Sequence, residues 1–160
     1  ISSYPIIAAY SHPQLSSLPI PFPFHGLNIL VVADEDVAKL RPSPPALMWV
    51  FDITDETRPI PISTFQVEGL DPDGAPQMPM TGCHQPSEVV TGTEIPFAWF
   101  AQGLRVVDVA NPHAPKEAAH FLPDPRSRDE RVCANDVTVD DRGLIYLIDR
   151  INGFHILERQ

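Results

Sequence analysis

Glycine is scarce in this chain and proline is not: 8 glycines stand against 19 prolines in 160 residues. That proline share is more than double the ~5% average. Each interior proline removes a helical hydrogen bond and clashes with the preceding turn, so long uninterrupted helices are excluded. Convincing amphipathic helical periodicity is also missing. Two cysteines are too few for a disulfide scaffold. Basic residues are few as well, 11 Lys and Arg against 21 Asp and Glu, for a net charge of −10. That balance argues against nucleic acid, whose phosphates would be repelled. The acidic charge is dispersed, which reads as a solvated surface. No apolar run approaches the ~20 residues of a membrane-spanning helix. There is no Gly-rich phosphate loop, no Gly-x-Ser-x-Gly elbow and no Cys-x-x-Cys pair. The chain starts at Ile1 and shows no signal peptide, which a processed chain would have lost.

What is present is 43% hydrophobic residues, enough to bury a core, in a length typical of one domain. The apolar residues fall in short β-branched and aromatic bursts. Asn28-Ile29-Leu30-Val31-Val32-Ala33-Asp34, Met48-Trp49-Val50-Phe51-Asp52-Ile53 and Leu104-Arg105-Val106-Val107-Asp108-Val109 are the clearest. Residues 96–101, 137–140, 144–149 and 154–158 follow the same habit. All are bounded by Gly, Pro, Asn or Asp, which is the signature of strand and turn. Asp140-Asp141-Arg142-Gly143 reads as a hairpin turn, with Gly143 suited to positive φ. The expected class is all-β.

Internal repetition organises these strands. Residues 83–108 lie over 133–158 without a gap: Cys83 on Cys133, Ile95 on Ile145, Gly103 on Gly153, Val106 on Ile156. A third copy lies upstream, with an inserted loop over residues 35–45. Each copy reads as an inner strand, a hairpin to a second, a Gly-marked turn to a third, and a short fourth. The fourth strands are expected at residues 60–65 and 116–121, where proline suits an outer edge. Four short antiparallel strands per ~50 residues is the arithmetic of a β-propeller blade. A β-sandwich of seven or more strands is the alternative. On the propeller reading, residues 1–17 hold the outer strand of a preceding blade plus a linker. Residues 18–70 and 71–131 are two blades, and 132–160 is a partial last one. About three blades cannot close a ring, so the remaining blades are expected from another chain or fragment, with self-association as the second choice. Ile1 then reads as a cut site.

Gly103-Leu104-Arg105-Val106-Val107-Asp108-Val109-Ala110-Asn111-Pro112-His113-Ala114-Pro115, followed by Lys116-Glu117-Ala118-Ala119, resembles the repeat of LVIVD-type β-propeller proteins. Trp49-Val50-Phe51-Asp52-Ile53-Thr54-Asp55-Glu56-Thr57-Arg58-Pro59 is similar to the same segment. The resemblance covers roughly residues 18–160. It implies a closed ring of about seven blades, often in bacterial exported or surface proteins, and no single chemistry. The short chain is the main departure from it.

Propellers use the central channel and the loops at one face of the ring, so residues at inner-strand ends are the candidates. His84 and Glu88 are four apart and share a face if they lie on one strand. An imidazole with a carboxylate suits Zn, Mn, Fe or Cu better than Ca. Backbone-satisfied polar residues are the alternative. His25, after an aromatic and proline run, is the third candidate ligand, with a turn histidine as its alternative. His12 opens a segment loosely similar to that of His84. Cys83 and Cys133 hold equivalent positions on neighbouring copies, as soft ligands, a disulfide or simple packing residues. Glu35 and Asp36 flank the long loop and offer a carboxylate, or merely a solvated loop. Residues 135–146 also resemble a segment of the gluconolactonase and senescence-marker propellers, which implies a divalent cation on Asn135 or Asp136. The same Asp-x-x-Gly-x-x-Tyr spacing otherwise simply makes a hairpin.

The expectation is therefore a propeller part with a transition metal near the channel mouth. Such a metal would serve oxidoreductase or hydrolase chemistry on a small-molecule substrate. A non-catalytic binding module is the alternative.

Overall fold

The computed structural model describes residues 28–35, 46–67, 82–124 and 132–159. Their apolar bursts become ten strands: β1 (Ile29–Ala33), β2 (Met48–Asp52), β3 (Ile60–Phe65), β4 (Gln85–Pro86), β5 (Glu94–Ala98), β6 (Leu104–Asp108), β7 (Lys116–Phe121), β8 (Ala134–Val139), β9 (Ile145–Asp149) and β10 (Gly153–Leu157). They form three antiparallel sheets in which sequence neighbours are spatial neighbours. Sheet I is β1-β2-β3, sheet II is β4-β5-β6-β7, and sheet III is β8-β9-β10. The described residues are all-β, and no helix among them is long and apolar enough to cross a membrane. The two expected fourth strands are β3 and β7.

The repeat seen in the sequence is a repeat of hydrogen bonds. Asp52 accepts the Thr54 amide at 2.8 Å, and Asp108 accepts the Ala110 amide at 2.9 Å. Three residues on, Asp55 accepts from Thr57 N and Asn111 from His113 N, each at 3.1 Å. Two consecutive Asx turns thus reverse the chain after β2 in sheet I and after β6 in sheet II, a local bond these short side chains favour over continuing the ladder. The β2–β3 and β6–β7 ladders also break at one equivalent place, between Val50 and Phe51 in sheet I and between Val106 and Val107 in sheet II. Gly103 turns the chain between β5 and β6 at φ 74°, and a Cβ there would lie 2.4 Å from the Phe121 carbonyl oxygen. Only glycine fits that turn.

Alternation along the strands gives each sheet two apolar faces. Val31, Ala33, Met48 and Val50, the forward face of sheet I, pack on Ile95, Phe97, Trp99 and Val107, the backward face of sheet II. Ala98, Leu104 and Val106, the forward face of sheet II, pack on Ala134, Val137, Ile145 and Leu147, the backward face of sheet III. Sheet II is thus covered on both sides, which is why β5 and β6 read as nearly continuous apolar runs. Phe97 and Trp99 are fully buried, and Trp99 meets Phe65 edge to face at 5.7 Å. Side chains of this size contribute about 1.5–3 kcal/mol each on full burial. Single backbone bridges join the sheets, Ala46 with Gly82 and Phe100 with Ala134.

Candidate functional site

Both inter-sheet bridges lie at the same end of the sheets, and His84 stands between them. Its amide donates to the Ala98 carbonyl at 3.2 Å, and the Cys83 amide donates to Ala46 O at 3.0 Å. The segment is therefore pinned to sheet II on one side and to sheet I on the other. The imidazole stacks on Phe100, centroids 4.3 Å apart and planes 17° from parallel. On its other side Nδ1 lies 3.1 Å from Glu35 Oε1, with the His84 side chain only 14% exposed. That contact is in ion-pair reach without the alignment of a hydrogen bond. Arg150 from sheet III lies 5.8 Å from the centroid of the same Phe100 ring, and its Nε donates to Asn135 Oδ1.

Burial lowers the His84 pKa from the usual histidine value. Glu35 pulls it back up, Arg150 lowers it, and Asn135 and Asp136 raise it. Desolvation wins, so the imidazole is neutral at pH 7 and its lone pair is available. The Glu35 contact is then a dipole contact rather than a full ion pair. Phe100 sits at φ 35°, sparsely populated for an aromatic residue, and its carbonyl accepts from both Gly103 N and Ala134 N. Backbone strain of this kind costs of order 1–3 kcal/mol and clusters at functional sites. Here it turns the ring under His84.

Glu35, Phe100 and Arg150 share one position in the repeat. Glu35 follows β1 by two residues, Phe100 follows β5 by two and Arg150 follows β9 by one, just after Asp34, Trp99 and Asp149. Sequence reasoning noted only Glu35 of the three, as one end of a loop. The signal that finds all of them is the repeat alignment, carried one residue past the buried strand end. Three sheets thus each send one side chain of different chemistry toward one histidine.

The other expected site residues fall as follows. Glu88 is exposed, because β4 ends at Pro86 and the chain bends after buried Ser87, whose amide donates to Pro96 O at 2.8 Å. His84 and Glu88 are therefore not on one regular strand, and the carboxylate beside His84 is that of Glu35. Asn135 reaches the site through Arg150. Asp136 is exposed on β8, and its carboxylate accepts the Val137 amide at 2.8 Å. Cys83 and Cys133 are buried free thiols. Burial, with Asp34 adding to it, raises the Cys83 pKa well above the ordinary thiol value. Burial likewise raises that of Cys133, with Arg150 opposing. Both are thiols rather than thiolates at neutral pH, and the thiolate is the form that ligates. His12, His25 and Asp36 lie outside the described residues.

The segment from Asp140 to Tyr146 is a hairpin fixture. Asp140 accepts from the Arg142 amide, the Arg142 guanidinium, the Leu144 amide and the Tyr146 hydroxyl, at 2.7–3.0 Å. Partial desolvation works against the charge, but these bonds carry the Asp140 pKa down to about 2. Among the described residues no three His, Cys, Asp or Glu side chains converge as metal ligands. Far from His84, a groove of about 800 Å³ runs between sheets II and III, lined by Thr91, Leu104, Ala119, Phe121, Val139 and Leu157 among others. The Arg159–Glu94 ion pair borders it. No family model matches the chain, and no curated protein matches it.

Proposed function

We propose that the three sheets are successive blades of a β-propeller, and that the loop end around His84 is its working face. Propeller blades are antiparallel meanders packed face to face around a channel, and the twofold cover of sheet II supports that reading. The rest of the ring comes from another chain or fragment, in the bacterial exported setting that the LVIVD resemblance implies. The site takes a divalent transition metal, with a neutral imidazole and a carboxylate as its first two ligands. The observation that carries this is His84, half-buried with Nδ1 3.1 Å from Glu35 Oε1 and with its pKa lowered by burial. Imidazole with carboxylate suits Zn, Mn, Fe or Cu. The described residues supply two ligands only, so further donors must come from segments outside them, where His12 and His25 lie. Such a metal would polarise a substrate oxygen or activate water, in a hydrolase or oxidoreductase.

A second reading has its own support. Arg150, bonded to Asn135, lies over the Phe100 ring that stacks on His84, and a cation beside an aromatic face suits a planar anionic ligand with no metal at all. The chain would then be a binding module. Metal analysis of the purified protein separates the two. The enzyme reading expects near-stoichiometric transition metal that falls at least tenfold in both His84→Ala and Glu35→Gln. Metal-free protein that also fails to take up added Zn, Mn, Fe or Cu sinks the metal reading and leaves the binding module.

A further inference from the structure

Sheets I and II have the fourth strand of the repeat, and sheet III among the described residues does not. β3 and β7 close the outer edges of their sheets, whereas β10 pairs with β9 alone. Its outer side is therefore a row of backbone groups ready to accept a strand. Met48 and Val50 in β2, and Leu104 and Val106 in β6, stand opposite fourth-strand residues and under the next sheet, and are 0–4% exposed. Phe154 and Ile156, their counterparts in β10, are 57% and 58% exposed.

The two fourth strands share a sequence habit. Ile62-Ser63-Thr64-Phe65 and Ala118-Ala119-His120-Phe121 each run apolar, small, variable, aromatic, and the two phenylalanines pair with Met48 and Leu104. Ile7-Ala8-Ala9-Tyr10 runs the same way. That stretch lies outside the described residues, ahead of β1, and sheet I already has its fourth strand in β3. Sheet III is the one described sheet where that place is open. We propose that residues 5–10 of the same chain add to β10 as the fourth strand of sheet III. The registers of β3 and β7 carry over: Tyr10 opposite Phe154, Ala9 opposite His155 and Ala8 opposite Ile156, antiparallel. Pro5 falls at the outer edge, where proline is tolerated as Pro61 is in β3.

The chain is long enough for this. Residues 11–27 separate Tyr10 from Asn28, and at ~3.3 Å per extended residue they reach about 56 Å. Two sheet spacings of ~10 Å, two strand spacings of ~4.8 Å and one strand length of ~17 Å total about 47 Å even laid end to end. In sheet II the chain leaving β7 runs against the β5–β6 turn, with Leu122 Cα and Pro123 Cδ each 3.2 Å from where a Gly103 Cβ would stand. The same course after Tyr10 takes Ser11 and His12 past Gly153, to the end of the sheets where His84 and Arg150 stand. The added strand thus delivers His12 to the proposed working face. The pairing presupposes that the three sheets are copies of one unit, as the propeller reading does.

Disulfide trapping in the full chain tests the strand. Opposed residues of an antiparallel pair have Cα atoms about 4.5–5.5 Å apart, within the span of a disulfide. Ala8→Cys with Ile156→Cys is expected to close an intrachain disulfide under mild oxidation. The yield should be at least tenfold that of Ala8→Cys with Val89→Cys, an exposed position between β4 and β5. Peptide mapping separates the new bond from any involving the native Cys83 and Cys133. Tyr10→Cys with Phe154→Cys replaces the first pair if that variant loses the wild-type far-UV spectrum. No disulfide, or equal trapping at Val89, overturns the proposal. So does a disulfide that joins two chains, which would make a second copy the donor. Hydrogen exchange on wild type keeps this failure apart from that of the propeller reading. If trapping fails but the β5 and β6 amides are strongly protected, only the added strand is refuted. If β5 and β6 exchange freely, the stacked sheets are refuted as well.

Discussion

Asp149 is a buried carboxylate whose worth can be worked from its bonds. It is 3% exposed. One oxygen accepts from Ile151 N, Asn152 N and Asn152 Nδ2 at 2.8, 2.8 and 3.1 Å. The other accepts from Cys133 N at 2.7 Å. The first three bonds close the β9–β10 turn that carries Arg150, and the fourth ties the start of β8 to the end of β9. Asp149→Asn keeps the shape and loses half the function. With its remaining oxygen on the turn, its NH₂ faces the Cys133 amide, so two donors meet and a buried N–H is left unpaired. That orphan costs about 1–3 kcal/mol, and bonds to a neutral acceptor are weaker than those to a carboxylate. The expected loss is about 2–4 kcal/mol, which for a chain of this size lowers Tm by roughly 5–15 °C.

Urea unfolding, followed by far-UV circular dichroism and by tryptophan fluorescence, measures this. Both tryptophans lie in sheets I and II, so coincident transitions would show that sheet III unfolds with them. Asp141→Asn makes the same charge change at an exposed turn position and should stay within ~0.5 kcal/mol. If Asp149→Asn also stays within that margin, the carboxylate does not hold the turn, and the placement of Arg150 beside His84 needs another explanation.

Glycine replacements separate strain from collision. Gly143→Ala, at φ 82° with nothing near its Cβ, should cost about 1–2 kcal/mol, whereas Gly103→Ala, at φ 74° against the Phe121 carbonyl, should cost clearly more; equal losses in urea would refute the close approach. In an NMR titration His84 should titrate below the ordinary histidine range, lower still in Glu35→Gln and higher in Arg150→Met. Because its folded pKa is depressed, the unfolded chain binds the extra proton. The His84 contribution thus favours folding above the unfolded pKa of ~6.5 and is eroded as pH falls below it. A His84 that titrates normally in wild type defeats both statements. Asp140 has the same sign in a more acidic window: its contribution is complete above the unfolded carboxylate value and is lost as pH falls toward about 2. Asp140→Asn should accordingly flatten the acid limb of the stability curve.

How much of this was legible in the sequence depends on which force sets each feature. The strands and their order followed from period-two apolar runs and a gapless repeat, because alternation and turn residues are local properties. Both fourth strands were placed to the residue, since the Asx turns before them are written in Asp52, Asp55, Asp108 and Asn111. The inner strand was not. Residues 84–88 read as a run with one face, but the buried Ser87 side chain bonds the Val89 carbonyl at 2.9 Å and bends the chain, leaving β4 two residues long. A serine that competes with the ladder looks, in sequence, like any other polar residue.

The site was half legible for a related reason. His84 stood out because histidine is rare and because it opened a repeat. Its neighbours did not, because no two of Glu35, Phe100 and Arg150 are alike. In a repeat that otherwise keeps its chemistry, the framework turn positions, Asp52 with Asp108 and Asp55 with Asn111, are alike because each copy must build the same turn. A position whose side chain takes no part in building the turn is free of that demand. Three unlike residues at such a position, with Glu35 and Phe100 against His84 and Arg150 over the Phe100 ring, are the divergence that the proposed binding role of this end requires.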